Sequence, residues 1–370
     1  AVGYLALSNE TEHGRNVAVG KGSLQSQNAG VEGYNVGIGY NAGVSVSTGI
    51  NQVLIGGNAG VTLSDGANNV AIGRSALGSA QSDSNNTAIG YAALGAQNGA
   101  GTAYNVAVGH SAGGSVTTGT ENVLIGGLAG DALTIGKHNV AIGYESLSSA
   151  DAGDFSVAIG HSALREQNGA SAGDNFYNTA VGYQAGKSVN SGLCNTIIGG
   201  LAGDAITGGD DNVIIGYNSA GAPNGSNQII IGHDAAAVGG SNGITLGDSS
   251  ISYFQCQIQT ITALSDKRDK TNIVDSTYGL DFINNLKPVT FEWDHRAEVD
   301  REGVEFYSAN KGKKDLGFIA QDLKELDDDY TQLVNETDPD KLGASYGRLI
   351  PIMAKAIQEL SAKVKELENK

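Results

Sequence analysis

Asn139-Val140-Ala141-Ile142-Gly143-Tyr144 is one copy of a phrase that recurs along the first two thirds of the chain. Copies open at Asn16, Asn35, Gln52, Asn69, Asn86, Asn105, Asn122, Asn139, Ser156, Asn178, Asn195, Asn212, Gln228 and Gly243. Ala1-Val2-Gly3-Tyr4 fits one more, its start cut away as if the sequence begins inside a longer chain. Most steps are 17 residues, but those from Asn16, Asn86 and Ser156 are 19, 19 and 22, so every fourth unit carries an insertion. The phrase Ile-Gly-Gly-x-Ala-Gly marks the same higher period at Ile55–Gly60, Ile125–Gly130 and Ile198–Gly203, a super-repeat of about 70 residues.

Val-Ala-Ile-Gly alternates large and small apolar residues, which suits a short buried strand. The flanking Asn and Gly tolerate the positive φ of tight corners. A unit of 17 residues is too short for two helices and fits one solenoid coil of two short strands and two turns. Some 15 coils, stacked at about 4.8 Å, make a rod of roughly 70 Å. Each coil is expected to bury a few β-branched side chains in a thin core, so lateral association with further chains is expected too.

Composition narrows the alternatives. Among 370 residues there are 55 Gly but only 4 Pro, and Gly does not recur every third residue, which excludes collagen. A 40% hydrophobic share is too high for disorder. The net charge of −17 argues against nucleic acid or an anionic membrane as partner. No apolar run is long enough to span a bilayer, and the first residues carry no signal peptide. Cys194 and Cys256 lack metal-ligand or disulfide-framework spacing. No cofactor is implied.

The residue after the motif glycine is often aromatic or basic, as at Tyr40, Arg74, Tyr91, Tyr144, Tyr183 and Tyr217, and it is histidine at His110, His161 and His233. Those histidines lie whole coils apart, not at ligand spacing, so a surface role is expected and no metal site. The Asn at the motif starts is expected to form a stacked amide ladder or a corner. The repeat itself resembles the head repeat of trimeric autotransporter adhesins. That resemblance implies a parallel β-roll in which three chains pack together over residues 1–247, although the adhesin coils are shorter.

Composition changes near residue 248: glycine thins out and charge rises. The junction 248–264 contains Ile251–Leu264, whose alternation predicts a strand. Further on, the pattern predicts helices over Gly279–Leu286 and Leu316–Leu326 and a strand over Val289–Asp294, with His295–Lys314 as a charged insertion. In Tyr346–Lys370, Ile350, Met353, Ile357, Leu360, Val364 and Leu367 are spaced 3, 4, 3, 4 and 3, a heptad seam. Two and a half heptads are marginal alone, so this helix, 346–370, is expected to trimerise.

Leu264-Ser265-Asp266-x-Arg268-x-Lys270, Leu286-Lys287-Pro288-Val289, Leu316-Gly317-Phe318-Ile319-Ala320-Gln321 and Tyr346-Gly347-Arg348-Leu349-Ile350-Pro351 follow in order. This set resembles the C-terminal intramolecular chaperone of phage endosialidases and tail fibres, across residues 265–370, with Asp269 as a departure. The resemblance implies a domain that aligns three fibre chains and is then released by autoproteolysis. It implies a cut between Leu264 and Ser265, with Ser265 as nucleophile, Lys270 as base, and Asp266 and Arg268 in support, as in a single-turnover Ser–Lys endopeptidase. Lysine accepts the proton only when neutral, which burial or neighbouring cations such as Lys267 and Arg268 favour.

The expected architecture is therefore mainly β: a trimeric parallel β-roll of about 17-residue coils, then a small α+β chaperone domain ending in a coiled-coil helix. The expected function is a homotrimeric tail fibre, assembled in the host cytoplasm and carried on the virion. Its partners are the rest of the virion tail and a host receptor, glycan or outer-membrane protein. Recognition loops are expected in the insertions Leu94–Tyr104 and Leu164–Tyr177. Two alternatives remain. A bacterial trimeric adhesin would need a membrane anchor where this sequence has a charged helix. A glycan-degrading tailspike would need paired carboxylates, and the sequence offers no candidate pair in the roll.

Overall fold

A computed structural model of the protein describes residues 1–11, 14–99, 101–168, 175–237, 239–248, 250–251, 254–255, 265–294, 298–299, 305–306, 311–336 and 342–370. Contacts divide the chain into two compact units, Ala1–Asp248 and Ser249–Lys370.

The first unit is a parallel β-solenoid. Its fourteen strands run from β1 (Val17–Val19) to β14 (Ile244–Leu246), each three residues long, in one parallel sheet whose order follows the sequence. Every copy of the motif sits in identical register on the next, as Val140↔Val157 and Ile142↔Ile159 illustrate. Each coil contributes one strand, not the two expected. Its remaining residues are turns, many at positive φ, and they bond coil to coil: Leu24 N–H donates to Ala42 O (3.0 Å) and Leu94 N–H to Ala112 O (3.0 Å).

The core meets expectation in part. The central strand residue points inward: it is alanine at Ala18, Ala71, Ala88, Ala107, Ala141, Ala158 and Ala180, leucine at Leu54 and Leu124, and isoleucine at Ile197, Ile214 and Ile230, facing leucines from the turns such as Leu24, Leu77, Leu94, Leu147 and Leu164. The β-branched residues that flank the central one face outward instead. They form two columns, from Val17 to Ile244 and from Val19 to Leu246, half-buried to exposed along the sheet. Only Thr87, Thr179 and Thr196 interrupt them and no charge enters. A period of two with a three-residue strand puts one residue in and two out.

Two devices hold the coils together. The first is the motif glycine. Gly143 has φ +133°, and a Cβ on it would lie 2.4 Å from Gly160 O in the next coil. The second is the polar side chain that opens the motifs, buried from Asn35 to Gln228. Asn122 Oδ1 accepts from Asn139 N–H (3.0 Å), while Asn122 Nδ2 donates to Gly136 O (2.9 Å) and to Asn105 Oδ1 (3.1 Å). The same link recurs from Asn16 onward, so the motif side chains form an internal amide ladder. Where coils are lengthened, a second amide joins it: Gln27, Gln97 and Gln167 accept from Asn35, Asn105 and Asn178 (2.9 Å each). Gln167 also donates to Ser156 Oγ (2.9 Å), bridging the one rung at which serine replaces the amide.

The second unit holds short elements: α1 (Leu280–Asn285), β15 (Val289–Glu292), β16 (Glu298–Val299), β17 (Glu305–Phe306), β18 (Lys314–Gly317), α2 (Ala320–Lys324), β19 (Val334–Asn335), β20 (Gly343–Ala344) and α3 (Leu349–Glu368). The expected helix over Leu316–Leu326 is shorter, because Leu316 pairs with Thr290 in the β15–β18 ladder. Tyr346 Oη then accepts from Phe318 N–H (3.1 Å), fixing the turn into α2. Most of the junction strand predicted over Ile251–Leu264 lies outside the described residues, as do Cys256, Ala100 in the first insertion and 169–174 in the second. No described helix is long and apolar enough to cross a membrane.

α3 has two apolar faces. Leu349, Ile352 and Ala356 are buried in its own unit, the first two in a core with Leu323 and Leu333, and Glu359 accepts from Leu280 N–H (2.8 Å) to bind α1 to α3. The heptad seam lies elsewhere on the helix and is uncovered: Ile350, Ile357 and Leu367 are 63%, 64% and 69% exposed.

Removing one rung tests the ladder. Asn122→Ala leaves a buried N–H and a buried C=O unpaired, each costing about 1–3 kcal/mol, so a clear fall in the urea midpoint of the solenoid is expected. Gly143→Ala is expected to be at least as damaging. Gly127→Ala, at a glycine without positive φ, should leave the midpoint unchanged.

Candidate functional site: the turn at Ser265–Lys270

Ser-Asp-Lys-Arg-Asp-Lys is charged and polar, with no apolar side chain to bury, and its local order comes from capping. Asp266 is the N-cap of a single 3₁₀ turn, Lys267–Asp269, and its carboxylate accepts from Arg268 N–H at 2.8 Å. The same carboxylate accepts from the Arg268 guanidinium, Nε at 3.1 Å and Nη2 at 2.6 Å. The turn closes when Lys270 N–H donates to Lys267 O (3.2 Å).

This turn folds the chain back on itself, and residues five apart in sequence meet. Lys270 Nζ lies 2.6 Å from Ser265 Oγ, within reach for proton transfer. All six residues from Ser265 to Lys270 are exposed in the single chain. Ser265 and Lys270 are thus brought together, Asp266 and Arg268 pair with each other beside them, and Leu264 lies outside the described residues. The Arg268 guanidinium binds the Asp266 carboxylate, which gives it an anchoring place in the turn.

Immediately downstream, Asn272 adopts φ +52° and the chain runs along a groove of about 450 Å³. Ile273, Val274, Tyr278, Tyr330, Arg348 and Ile352 are among its lining residues, with Val274 85% and Tyr330 83% exposed. The Tyr278 hydroxyl is held above its ordinary value by its hydrogen bond to Asp328. Sequence reading missed this groove. Its walls come from residues about 50 to 80 positions apart, and nothing local announces their meeting.

The solenoid histidines singled out by sequence serve as rungs of exposed ring stacks. His110 stacks on Tyr91 (ring centroids 5.1 Å apart), His161 sits between Tyr144 and Tyr183 (5.4 Å each), and His233 lies on Tyr217 (5.5 Å). A second row, at the residue before the motif, stacks His138, Phe155 and Tyr177.

The chain is thus a repetitive parallel β-solenoid followed in sequence by a small unit of short helices and strands, with a Ser–Lys contact at the start of that unit. Residues 265–334 match a protein-family model described as chaperone of endosialidase. The match starts at Ser265. No curated protein matches the chain.

The Asp266 carboxyl is held below its ordinary value, first by the side-chain hydrogen bond from Arg268 and then by the backbone bond from the same residue. A lowered carboxyl pKa means that the cap is fully formed above the unfolded value and is lost as pH falls through the folded one. In an NMR pH titration Asp266 should therefore turn over below 3.8, and Arg268→Ala should move its midpoint back toward 3.8.

Proposed function

We propose that the chain is the distal part of a homotrimeric phage tail fibre whose C-terminal unit aligns three chains and then cuts itself away. The observation that carries this reading is the chaperone-of-endosialidase match beginning at Ser265, downstream in sequence of a long in-register solenoid. Two uncovered apolar surfaces support it. The outer columns of the sheet expose aliphatic side chains along fourteen strands, and the α3 seam exposes them from Ile350 to Leu367. Both suit parallel copies of the same chain. A stack of near-identical coils can slip by one coil and keep most contacts, so a C-terminal clamp that sets register is what such a fibre needs.

For the cut, Ser265 Oγ gives its proton to neutral Lys270 Nζ and attacks the Leu264 carbonyl carbon through a five-membered ring. The C–N bond breaks, the Ser265 nitrogen takes the proton from Lys270, and Leu264 is left as an ester on Oγ. Water hydrolyses that ester, releasing a Leu264 carboxylate and restoring the Ser265 hydroxyl at a new N-terminus. The turn is exposed in one chain, so packing of neighbouring chains around it supplies the desolvation that a lysine base requires. Cleavage then waits for assembly.

Intact-mass analysis after expression tests both halves. Wild type should give a fragment beginning at Ser265, while Ser265→Ala and Lys270→Ala should stay full length and still run as trimers by light scattering. Ile357→Asp, which places a charge in the α3 seam, should shift the full-length Ser265→Ala chain toward monomer. A wild-type chain that stays monomeric at micromolar concentration, or an equally cleaved Ser265→Ala, overturns the proposal.

A further inference from the structure

The six residues of the α3 seam alternate between two heptad positions: Ile350, Ile357 and Val364 at a, Met353, Leu360 and Leu367 at d. Isoleucine or valine at a with leucine at d favours two strands in a free coiled coil. The seam by itself therefore does not select the three chains that a trimeric fibre needs, and another surface must. The flanking positions show where to look. Toward the end of the helix they are charged, with Lys363 at g and Glu368 at e. In its middle they are small: Ala354 and Ser361 at e, Ala356 at g. Ala354 and Ser361 are exposed, while Ala356 is buried in its own chain.

What lies beside Ala356 is α1. Leu280 and Ile283 of α1, with Met353, Ala356, Ile357 and Leu360 of α3, line a groove of about 270 Å³ with no polar side chain in its walls. Met353, Ile357 and Leu360 belong to the seam, so the groove continues the seam and widens it on the g side only. The position of α1 is fixed at its start. The Glu359 carboxylate accepts from Leu280 N–H (2.8 Å), and a Cβ on Gly279 would lie 2.5 Å from the same carboxylate. Leu280 and Ile283 are half-buried, and Met353, Leu360 and Ile357 are 44%, 50% and 64% exposed. The apolar band is thus broader than an a/d stripe. Two helices meeting along a and d would leave its α1 flank in water.

We propose that the α1–α3 groove of each chain is the docking surface for the e side of α3 from a second copy, so that the C-terminal clamp is built from six helices and α1 sets the number of chains. In parallel coiled helices a g residue meets the e residue five positions further on in its neighbour. That rule sets Lys363 against the next copy's Glu368, opposite charges in matched register. Only parallel helices bring g to e, so the charges select the parallel arrangement. The same rule sets Ala356, beside the groove, against the next copy's Ser361. α1 begins level with Glu359, which places Leu280 near that serine. Small e residues let the next helix come close enough for Leu280 and Ile283 to close over it. Each chain then offers one groove and one e side, a head-to-tail contact that closes as a ring.

This inference rests on the trimer reading and names the surface that completes it. The test uses the full chain, kept uncut by Ser265→Ala and cleared of its two thiols by Cys194→Ser and Cys256→Ser. In that parent, Leu280→Cys with Ser361→Cys, bridged by a short bismaleimide, should run as three linked chains under denaturing conditions, and neither cysteine alone should. Ala354→Arg with Ser361→Arg, which fills the e side, should lower the light-scattering mass from three chains toward one. Gln358→Arg with Ala362→Arg adds the same charge to the outer face of the helix and should leave the mass unchanged. A trimeric parent that yields no link between chains, or an e-side arginine pair that stays trimeric, overturns the docking and leaves the trimer reading standing. A parent of any other mass overturns the trimer reading, and the docking with it.

Discussion

A coil can sit on its neighbour only where a glycine brings a bare α-carbon up against the carbonyl of the next coil. Every other regularity of the solenoid follows from that close approach. It fixes the rise, which lets the motif amide reach the next N–H, as from Asn122 to Asn139. It aligns the strands without stagger, so equivalent side chains fall into columns. With the columns come the stacked rings and the outward rows of valine and isoleucine. The hydrophobic contribution of the narrow Ala/Leu interior is modest per coil. Backbone pairing on both sides of the coil and a satisfied amide ladder carry correspondingly more of the specificity.

The same geometry explains why one chain leaves so much aliphatic surface in solvent. A three-residue strand between two corners has a single inward position. The two residues that flank it, mostly valine and isoleucine, then have nowhere to go but out. In the second unit α3 meets an analogous limit: its own domain covers Leu349, Ile352 and Ala356, and the helix is too long and too narrow for the domain to cover Ile350 through Leu367 as well. Apolar surface of this extent on two separate units is a statement about assembly before it is one about stability.

The solenoid, its period and its super-repeat were legible because repetition multiplies a weak signal: one Val-Ala-Ile-Gly says little, fourteen in step decide a fold. The strand's orientation was not legible. Alternation is the same whichever face is inside, and only the three-residue length, set by the corner conformations, makes Ala141 the buried residue and Val140 and Ile142 the outer ones. Leucines at positive φ, such as Leu24 and Leu94, were equally hidden, because the usual steric cost of that conformation points sequence reading toward Gly or Asn. In the C-terminal unit, the pairing of Ser265 with Lys270 was expected only from the family resemblance, since the spacing alone fits a solvated charged turn equally well. The groove beyond it depends on distant segments and was not. The helix expected over Leu316–Leu326 starts later, at Ala320, for a related reason, since pairing with β15 overrides local preference at its N-terminal end.

The extra amides at Gln27, Gln97 and Gln167 have a consequence for how such a rod can change. They recur at intervals of 70 residues and restore the ladder wherever a coil is lengthened, so the four-coil block between them is closed at both ends. Recombination between one block and the next joins matching rungs to matching rungs. The rod can then gain or lose length in steps of four coils, about 19 Å at a spacing near 4.8 Å.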